Sequence, residues 1–322
     1  MSRRRSWSAM AAVAVSLGGY YLYSEYNGCT YKSKEDLKGH TFILTGATNA
    51  GVGKETAREL AIRGATVILG AKNLDRCHQA RHQIITSTNF QNREIECVPL
   101  DLKSLSSIRK FVQNLPKDLP VDALVNAAET IKKDSREETV DGLEKQMGVS
   151  HFGHFLLTNL VVEKFNTIPG LRIVNIAFPS SKEASINFDD LNSEKDYNPS
   201  RVYRQAKLAT LLTTLEASKR FGHGVTVNAV YPGQCNTEIY RHVSGNQSFI
   251  VKILMQPLFM FLFKSPERAA QTVLYAALNK DLEGVTGKYV ADCMVKELPI
   301  RETEAAQSKR LWEVSREIVE GV

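Results

Sequence analysis

Thr41-Phe42-Ile43-Leu44-Thr45-Gly46-Ala47-Thr48-Asn49-Ala50-Gly51-Val52-Gly53-Lys54-Glu55-Thr56-Ala57 decides how the chain is read. An apolar, β-branched run enters a turn holding three glycines, and the residues after it (Glu55, Ala57, Glu59, Leu60, Ala61) have helical character. Strand, glycine turn and helix in that order form a cradle for a dinucleotide phosphate. Glycine lets backbone N–H groups approach a pyrophosphate. A helix starting near Gly51 aims its unpaired N–H groups and positive dipole end at the same anion. Taken alone the turn is equally compatible with a structural loop, so the neighbouring residues have to decide.

The 322 residues, 43% hydrophobic and 24% charged, suit one large α/β domain with a single core. Forty-one basic against 35 acidic residues leave a mild net charge of +6. With no basic stripe interleaved with aromatics, nucleic acid is not the expected partner, and a membrane surface fits better. Cys29, Cys77, Cys97, Cys235 and Cys293 are odd in number, far apart and without a CxxC pair. That pattern argues against a disulfide framework and a zinc site, and the five read as reduced intracellular thiols.

Arg3, Arg4 and Arg5 precede an apolar run, Trp7–Tyr23, and the first acidic residue is Glu25. Such a run is at the lower limit for crossing a ~30 Å hydrocarbon layer, so an anchor, a membrane-dipping helix and an import signal all fit. No small-x-small site precedes the polar linker Asn27–Lys38, which argues against a cleaved secretory signal. Residues 1–38 are therefore read as a membrane-anchor or targeting segment with its linker, 39–300 as the folded domain, and 301–322 as a charged, amphipathic surface helix.

From Gly39 the pattern alternates. Strands are predicted at Thr66–Gly70, Ile95–Pro99, Asp122–Asn126, Leu171–Ala177, Thr226–Tyr231 and Lys288–Ala291. Helices are predicted at Leu74–Thr86, Leu105–Asn114, Glu137–Gln146, Val149–Phe165, Arg201–Phe221 and Pro266–Leu278. Together with the first strand this makes an α/β fold, a single Rossmann-type doubly wound sheet of about seven parallel strands with helices on both faces.

Tyr203 and Lys207 lie four apart on a predicted helix and so share a face. Hydride transfer at a carbinol leaves a proton to be moved, and a tyrosine with a reference pKa of ~10 is a weak base at neutral pH. A nearby ammonium favours the phenolate, and it can also donate to a ribose hydroxyl. A surface Tyr/Lys pair is the bland alternative, outweighed here by the glycine turn. At the end of the second strand, an acid would bind the adenosine ribose hydroxyls of NAD; the chain has Gly70-Ala71-Lys72-Asn73 instead, and Lys72 favours NADP(H), with Arg76 as an alternative phosphate partner.

Thr45-Gly46 with Gly51 and Gly53, Asp101, Asn126, Tyr203-Arg204-Gln205-Ala206-Lys207 and Pro232-Gly233 resemble the short-chain dehydrogenase/reductase family. His151-Phe152-Gly153-His154-Phe155-Leu156-Leu157-Thr158-Asn159-Leu160, Phe188-Asp189-Asp190-Leu191-Asn192 and Lys264-Ser265-Pro266-Glu267 are similar to its retinol dehydrogenase branch. The resemblance implies NADP (NADPH) held by Thr45, Gly46, Gly51, Val52, Gly53, Lys72, Asp101, Leu102, Asn126, Lys207, Pro232, Gly233 and Thr237. Within that set Asp101 would hold the adenine and Thr237 the nicotinamide amide. It also implies proton transfer by Tyr203 and Lys207, and a mitochondrial inner membrane location, with the endoplasmic reticulum membrane second.

The chain departs from the family pattern at one site. The loop from Thr45-Gly46 to Gly51 is one residue longer, and Asn126-Ala127-Ala128-Glu129 puts a carboxylate where the family has glycine. Ser150 replaces the helix asparagine of the proton relay, and Ala177 and Phe178 stand where the family has its serine pair. Ser180 or Ser181, a little further on, or a water, would then supply the missing donor to the reacting oxygen, Ser180 being the candidate catalytic residue. Two readings follow: an oxidoreductase acting on a small lipophilic, retinal/retinol-like substrate, or a catalytically impaired pseudoenzyme that binds NADP(H) or lipid. The apolar stretch 249–263 reads as a lid that reaches the membrane together with the amino terminus, or else as core packing. A homodimer is compatible with either reading. His151 and His154, like His78 and His82, read as packing or solvated residues, and no metal site is expected.

Overall fold

The computed structural model describes residues 28–33, 35–88, 94–130, 133–165, 169–179, 183–235 and 263–321. β1, Thr41–Thr45, is buried along its whole length because Phe42 and Leu44 join one core and Ile43 joins the core on the opposite face. A strand covered on both sides needs a continuous apolar run, which this segment supplies. β2 (Thr66–Ala71) and β4 (Val121–Asn126) flank it, both parallel. β3 (Ile95–Pro99) lies outside β2, and β5 (Leu171–Ile176), β6 (Val225–Tyr231) and β7 (Tyr289–Ala291) continue the sheet on the other side, all parallel. β8, Met294–Lys296, pairs antiparallel with β7 and completes the order β3-β2-β1-β4-β5-β6-β7-β8. The eighth strand was not expected. Its three residues are exposed and carry no burial pattern, and the turn before it places Asp292 and Cys293, not glycine, at φ 50° and 54°.

The helices among the described residues are α1 (Val52–Ile62), α2 (Leu74–Thr88), α3 (Leu105–Asn114), α4 (Lys145–Met147), α5 (His154–Phe165), α6 (Pro199–Arg220), α7 (Pro266–Leu278), α8 (Glu302–Ala305) and α9 (Ser308–Glu320). Leu60 of α1, Cys77 and Ile84 of α2 and Val273 and Leu274 of α7 fill one face of the sheet. Phe111 of α3, Leu157 of α5, Leu208 of α6 and Trp312 of α9 fill the other. Side chains start several of the long helices. Ser104 accepts from the Ser107 N–H ahead of α3, Asn198 from Ser200 and Arg201 ahead of α6, and Ser265 from Arg268 ahead of α7.

Several expectations are corrected. The helix predicted over Glu137–Gln146 is absent. Gly142 at φ 75° turns the chain, Glu138 bridges Glu144, and the Glu144 carboxylate then caps α4 by accepting from Gln146 and Met147 N–H. Gly148–Gly153 is a π-helix that runs into α5, so the predicted helix Val149–Phe165 begins in a wider winding. The single surface helix expected over 301–322 is two helices, and α9 is packed into the body: Leu311, Trp312 and Val319 are buried in the core it shares with α5 and α6.

The reading of five reduced thiols is also corrected, because Cys29 pairs with Cys293 and Cys77 with Cys97, at Cα separations of 5.8 and 6.0 Å. Sequence separations of 264 and 20 conceal both pairs. The first brings the start of the described chain to the β7–β8 turn; the second joins α2 to β3. Cys235 is the free cysteine, and burial pushes its thiol up to about 12.

Candidate active site

The strand order reverses between β1 and β4, and in open α/β sheets ligands bind at that point, beyond the carboxyl ends of the strands. The glycine turn leaves β1 there. Gly46 has φ 72°, and a Cβ on it would sit 2.7 Å from the backbone of Ala127 and Ala128. A Cβ on Gly53 would sit 2.7 Å from the Gly46 carbonyl oxygen. These two glycines therefore let the turn close onto the β4 loop and onto α1, and the extra residue is absorbed between Gly46 and Gly51. Gly51, in extended backbone, is the N-cap of α1 and has no side chain to offer, so the first N–H groups of this helix lack the side-chain cap its neighbours have. A buried orphan atom lies at the end of β4, the strand paired with β1: Asn126 Oδ1, on a side chain 4% exposed, has no hydrogen-bond partner among the described residues. An uncapped helix start and an unsatisfied acceptor at the switch point both fit a dinucleotide.

Tyr203 and Lys207 fall on one face of α6, as expected. The Lys207 side chain is 6% exposed, and its ammonium lies 5.3 Å from the Tyr203 ring centroid and 4.9 Å from that of Phe178. Nζ also donates to the Glu129 carboxylate. Two of the departures from the family pattern, Glu129 and Phe178, thus lie directly against the lysine. Ala177 is fully buried. Ser150 is buried in the π-helix, where its Oγ accepts from Gln146 Nε2 at 3.1 Å. Ser180, Ser181, Thr237 and residues 249–262 lie outside the described residues.

The β4 loop is held by Thr45, and Thr45 in turn by a histidine that motif reading set aside. Thr45 Oγ1 accepts from the Ala127 and Ala128 N–H groups, both at 3.0 Å, and meets His154 Nε2 at 3.1 Å. Burial, with Lys207 as the nearby cation, lowers the His154 pKa to about 4, so the ring is neutral and Nε2 is free to accept the Thr45 hydroxyl proton. His154 therefore positions the turn that carries Glu129. No local signal distinguishes it from His151, three residues earlier, whose Nε2 instead meets Ser315 Oγ at 2.8 Å. His78 and His82 are exposed. Deeper in the same cleft, Asn126 Nδ2 donates to Thr158 Oγ1 and Asn175 Oδ1, and Asn175 Nδ2 donates to Thr214 Oγ1. This polar chain bolts the ends of β4 and β5 to α5 and α6.

At the ends of β2 and β3, Lys72 Nζ lies 2.9 Å from Asp101 Oδ2, while Asp101 Oδ1 accepts from the Lys103 N–H. The two residues expected at the adenosine end therefore meet, with Lys72 largely exposed and Leu102 buried behind them. Pro232 and Gly233 follow β6. Gly233 has φ 92°, and a Cβ there would lie 2.7 Å from Lys264 Cδ. Among the described residues, no group of three or more His, Cys, Asp or Glu is placed to hold a metal ion.

A family model described as short chain dehydrogenase matches residues 40–248. Retinol dehydrogenase 13 of Mus musculus is 40% identical over 315 residues, covering 96% of this chain and 93% of its own. Retinol dehydrogenase 14 of Homo sapiens is 37% identical over 303 residues, covering 88% and 87%. Among solved structures, an uncharacterised protein of Mycobacterium paratuberculosis superposes with a TM-score of 0.70 at 27% identity, covering 91% of this chain and 98% of its own. A short chain dehydrogenase of Shigella flexneri 2a, complexed with NADP, superposes with a TM-score of 0.61 at 18% identity, covering 81% and 99%, and shows the shared fold. The chain belongs to the short-chain dehydrogenase/reductase family and is an oxidoreductase acting between alcohol and carbonyl. These relationships do not favour the pseudoenzyme reading.

Proposed function

We propose that this short-chain dehydrogenase uses NADP(H) to interconvert a carbonyl and an alcohol on a lipophilic, retinoid-like substrate at a membrane. The observation that carries the reading is the placement of Tyr203 and Lys207 on one face of α6, with the ammonium 5.3 Å from the phenol ring, at the carboxyl ends of the strands. A bound nicotinamide supplies or accepts the hydride. Tyr203 holds the proton that leaves or joins the substrate oxygen, and Lys207 favours its phenolate. On this reading Ser180, Ser181 or a bound water supplies the remaining donor to that oxygen. The amide N–H groups at the start of α1 hold the pyrophosphate together with the turn of Thr45, Gly46, Gly51, Val52 and Gly53. Lys72 at the end of β2 supports NADP over NAD, since the cationic side chain stands where a ribose-binding acid would select against a 2′-phosphate.

The membrane reading rests on the apolar runs 7–23 and 249–263. Its support from the fold is that described residues next to the two stretches in sequence come together: Cys29 is bonded to Cys293, and Lys264 is ion-paired with Asp292 beside it. No helix among the described residues is long and apolar enough to cross a membrane. The arginine-rich, acid-free start, taken with the resemblance to the retinol dehydrogenase branch, favours the inner mitochondrial membrane first and the endoplasmic reticulum membrane second. NADPH oxidation with retinal, beside a Tyr203→Phe control, tests the whole reading. Turnover that Tyr203→Phe abolishes supports it; cofactor binding without turnover on any apolar aldehyde refutes it.

A further inference from the structure

Lys207 is already engaged within the protein. Its ammonium donates to Glu129 Oε1 and lies over the rings of Phe178 and Tyr203. The Glu129 side chain is 20% exposed and the Lys207 side chain 6%, so water screens the pair little. Nor is the carboxylate on a free loop. Ala127 and Ala128, just before it, donate to Thr45 Oγ1, and Thr45 is held by His154.

We propose that Glu129 is an internal competitor for Lys207: its carboxylate and the ribose hydroxyls of a nicotinamide dinucleotide draw on the same ammonium, and Glu129 thereby sets cofactor affinity. The inference rests on the reading above that Lys207 serves the dinucleotide. A charge-assisted hydrogen bond to a carboxylate is roughly twice as strong as one to a neutral hydroxyl, so the ribose enters at a disadvantage.

The test is fluorescence titration of the full-length, cofactor-free protein with NADPH, and in parallel with NADH, which needs no substrate and no turnover. Glu129→Gln should tighten binding on the order of tenfold, and Glu129→Asp should stay near wild type because the carboxylate is retained. In a Lys207→Met background, Glu129→Gln should change affinity by less than about twofold, since the contested group is gone. Glu129→Ala gives a second route to the same comparison, and circular dichroism confirms the fold of each variant. Unchanged or weaker binding by Glu129→Gln would overturn the inference and make the carboxylate a ribose acceptor instead. Equal tightening with and without Lys207 would overturn it as well, in favour of a general charge effect. Failure of the wild type and every variant to bind either dinucleotide would refute the cofactor reading itself, and this inference with it.

Discussion

Lowering the pH from 7 to 5 should destabilise the protein through His151. This side chain is 2% exposed, its ring centroid lies 4.8 Å from that of Phe152 and 6.0 Å from that of Phe155, and Nε2 meets Ser315 Oγ of α9 at 2.8 Å. Burial, and secondarily His154, lowers its pKa from 6.5 to about 3. A folded-state value below the unfolded one means that the unfolded chain binds the extra proton between the two. The stabilisation is therefore full above pH 6.5 and is lost progressively as the pH falls toward 3. Between pH 7 and pH 5 the linkage amounts to about 2 kcal/mol from this one ring. Carboxylates titrate in the same range, so the assay is a comparison. Urea unfolding of wild type and His151→Gln is followed by circular dichroism at pH 7, 6 and 5. Glutamine can still reach Ser315 but cannot ionise. The variant should be less stable at pH 7 by about 1–3 kcal/mol, yet lose about 2 kcal/mol less than wild type on going to pH 5. Equal losses, within about 0.5 kcal/mol, would refute the assignment of this acid sensitivity to the buried His151 ring.

Lys72→Asp replaces a cation at the end of β2 with a ribose acceptor, so the ratio of NADPH to NADH affinity should fall by at least about tenfold in paired titrations; an unchanged ratio would mean that Lys72 does not read the phosphate. Gly46→Ala forces a side chain onto φ 72° and into backbone atoms 2.7 Å away. Both the melting temperature and NADPH affinity should drop, by more than the ~1–2 kcal/mol that left-handed backbone alone costs. Loss of affinity at an unchanged melting temperature would disprove the close packing described here. Reduction of Cys77–Cys97, or Cys77→Ser with Cys97→Ser, should cost roughly 3 kcal/mol by the chain-entropy model for a 20-residue separation. Peptide mapping without reductant reports whether the bond forms, and free thiols at both positions would restore the reading first taken from cysteine spacing.

Much of the molecule was legible from residue order because the signals are local. The apolar run entering Gly46, the switching of period from strand to helix, and the Tyr203-to-Lys207 interval each lie within a few residues, and each placed its element where the structure has it. Where non-local partners decided, residue order was silent. Glu137–Gln146 has helical composition, yet contacts from outside the segment hold it as a turn: Asp141 Oδ2 accepts from the Leu105 N–H and Asn192 Oδ1 from the Glu144 N–H. The disulfide pairs depend on which elements the sheet order brings together, and α9 is buried because α5 and α6 offer it an apolar face.

The chemistry divides in the same way. Residue types and their spacing carried the resemblance to the family, the strand, glycine turn and helix in sequence, and the placing of Tyr203 and Lys207 on one helix face. Only the folded chain decided that Lys207 is held by Glu129, that Lys72 meets Asp101, and that His154 rather than His151 steadies the β4 loop. Spacing along one helix or one turn specifies geometry within it, whereas a contact between the ends of separate strands exists only after the sheet has brought those ends together.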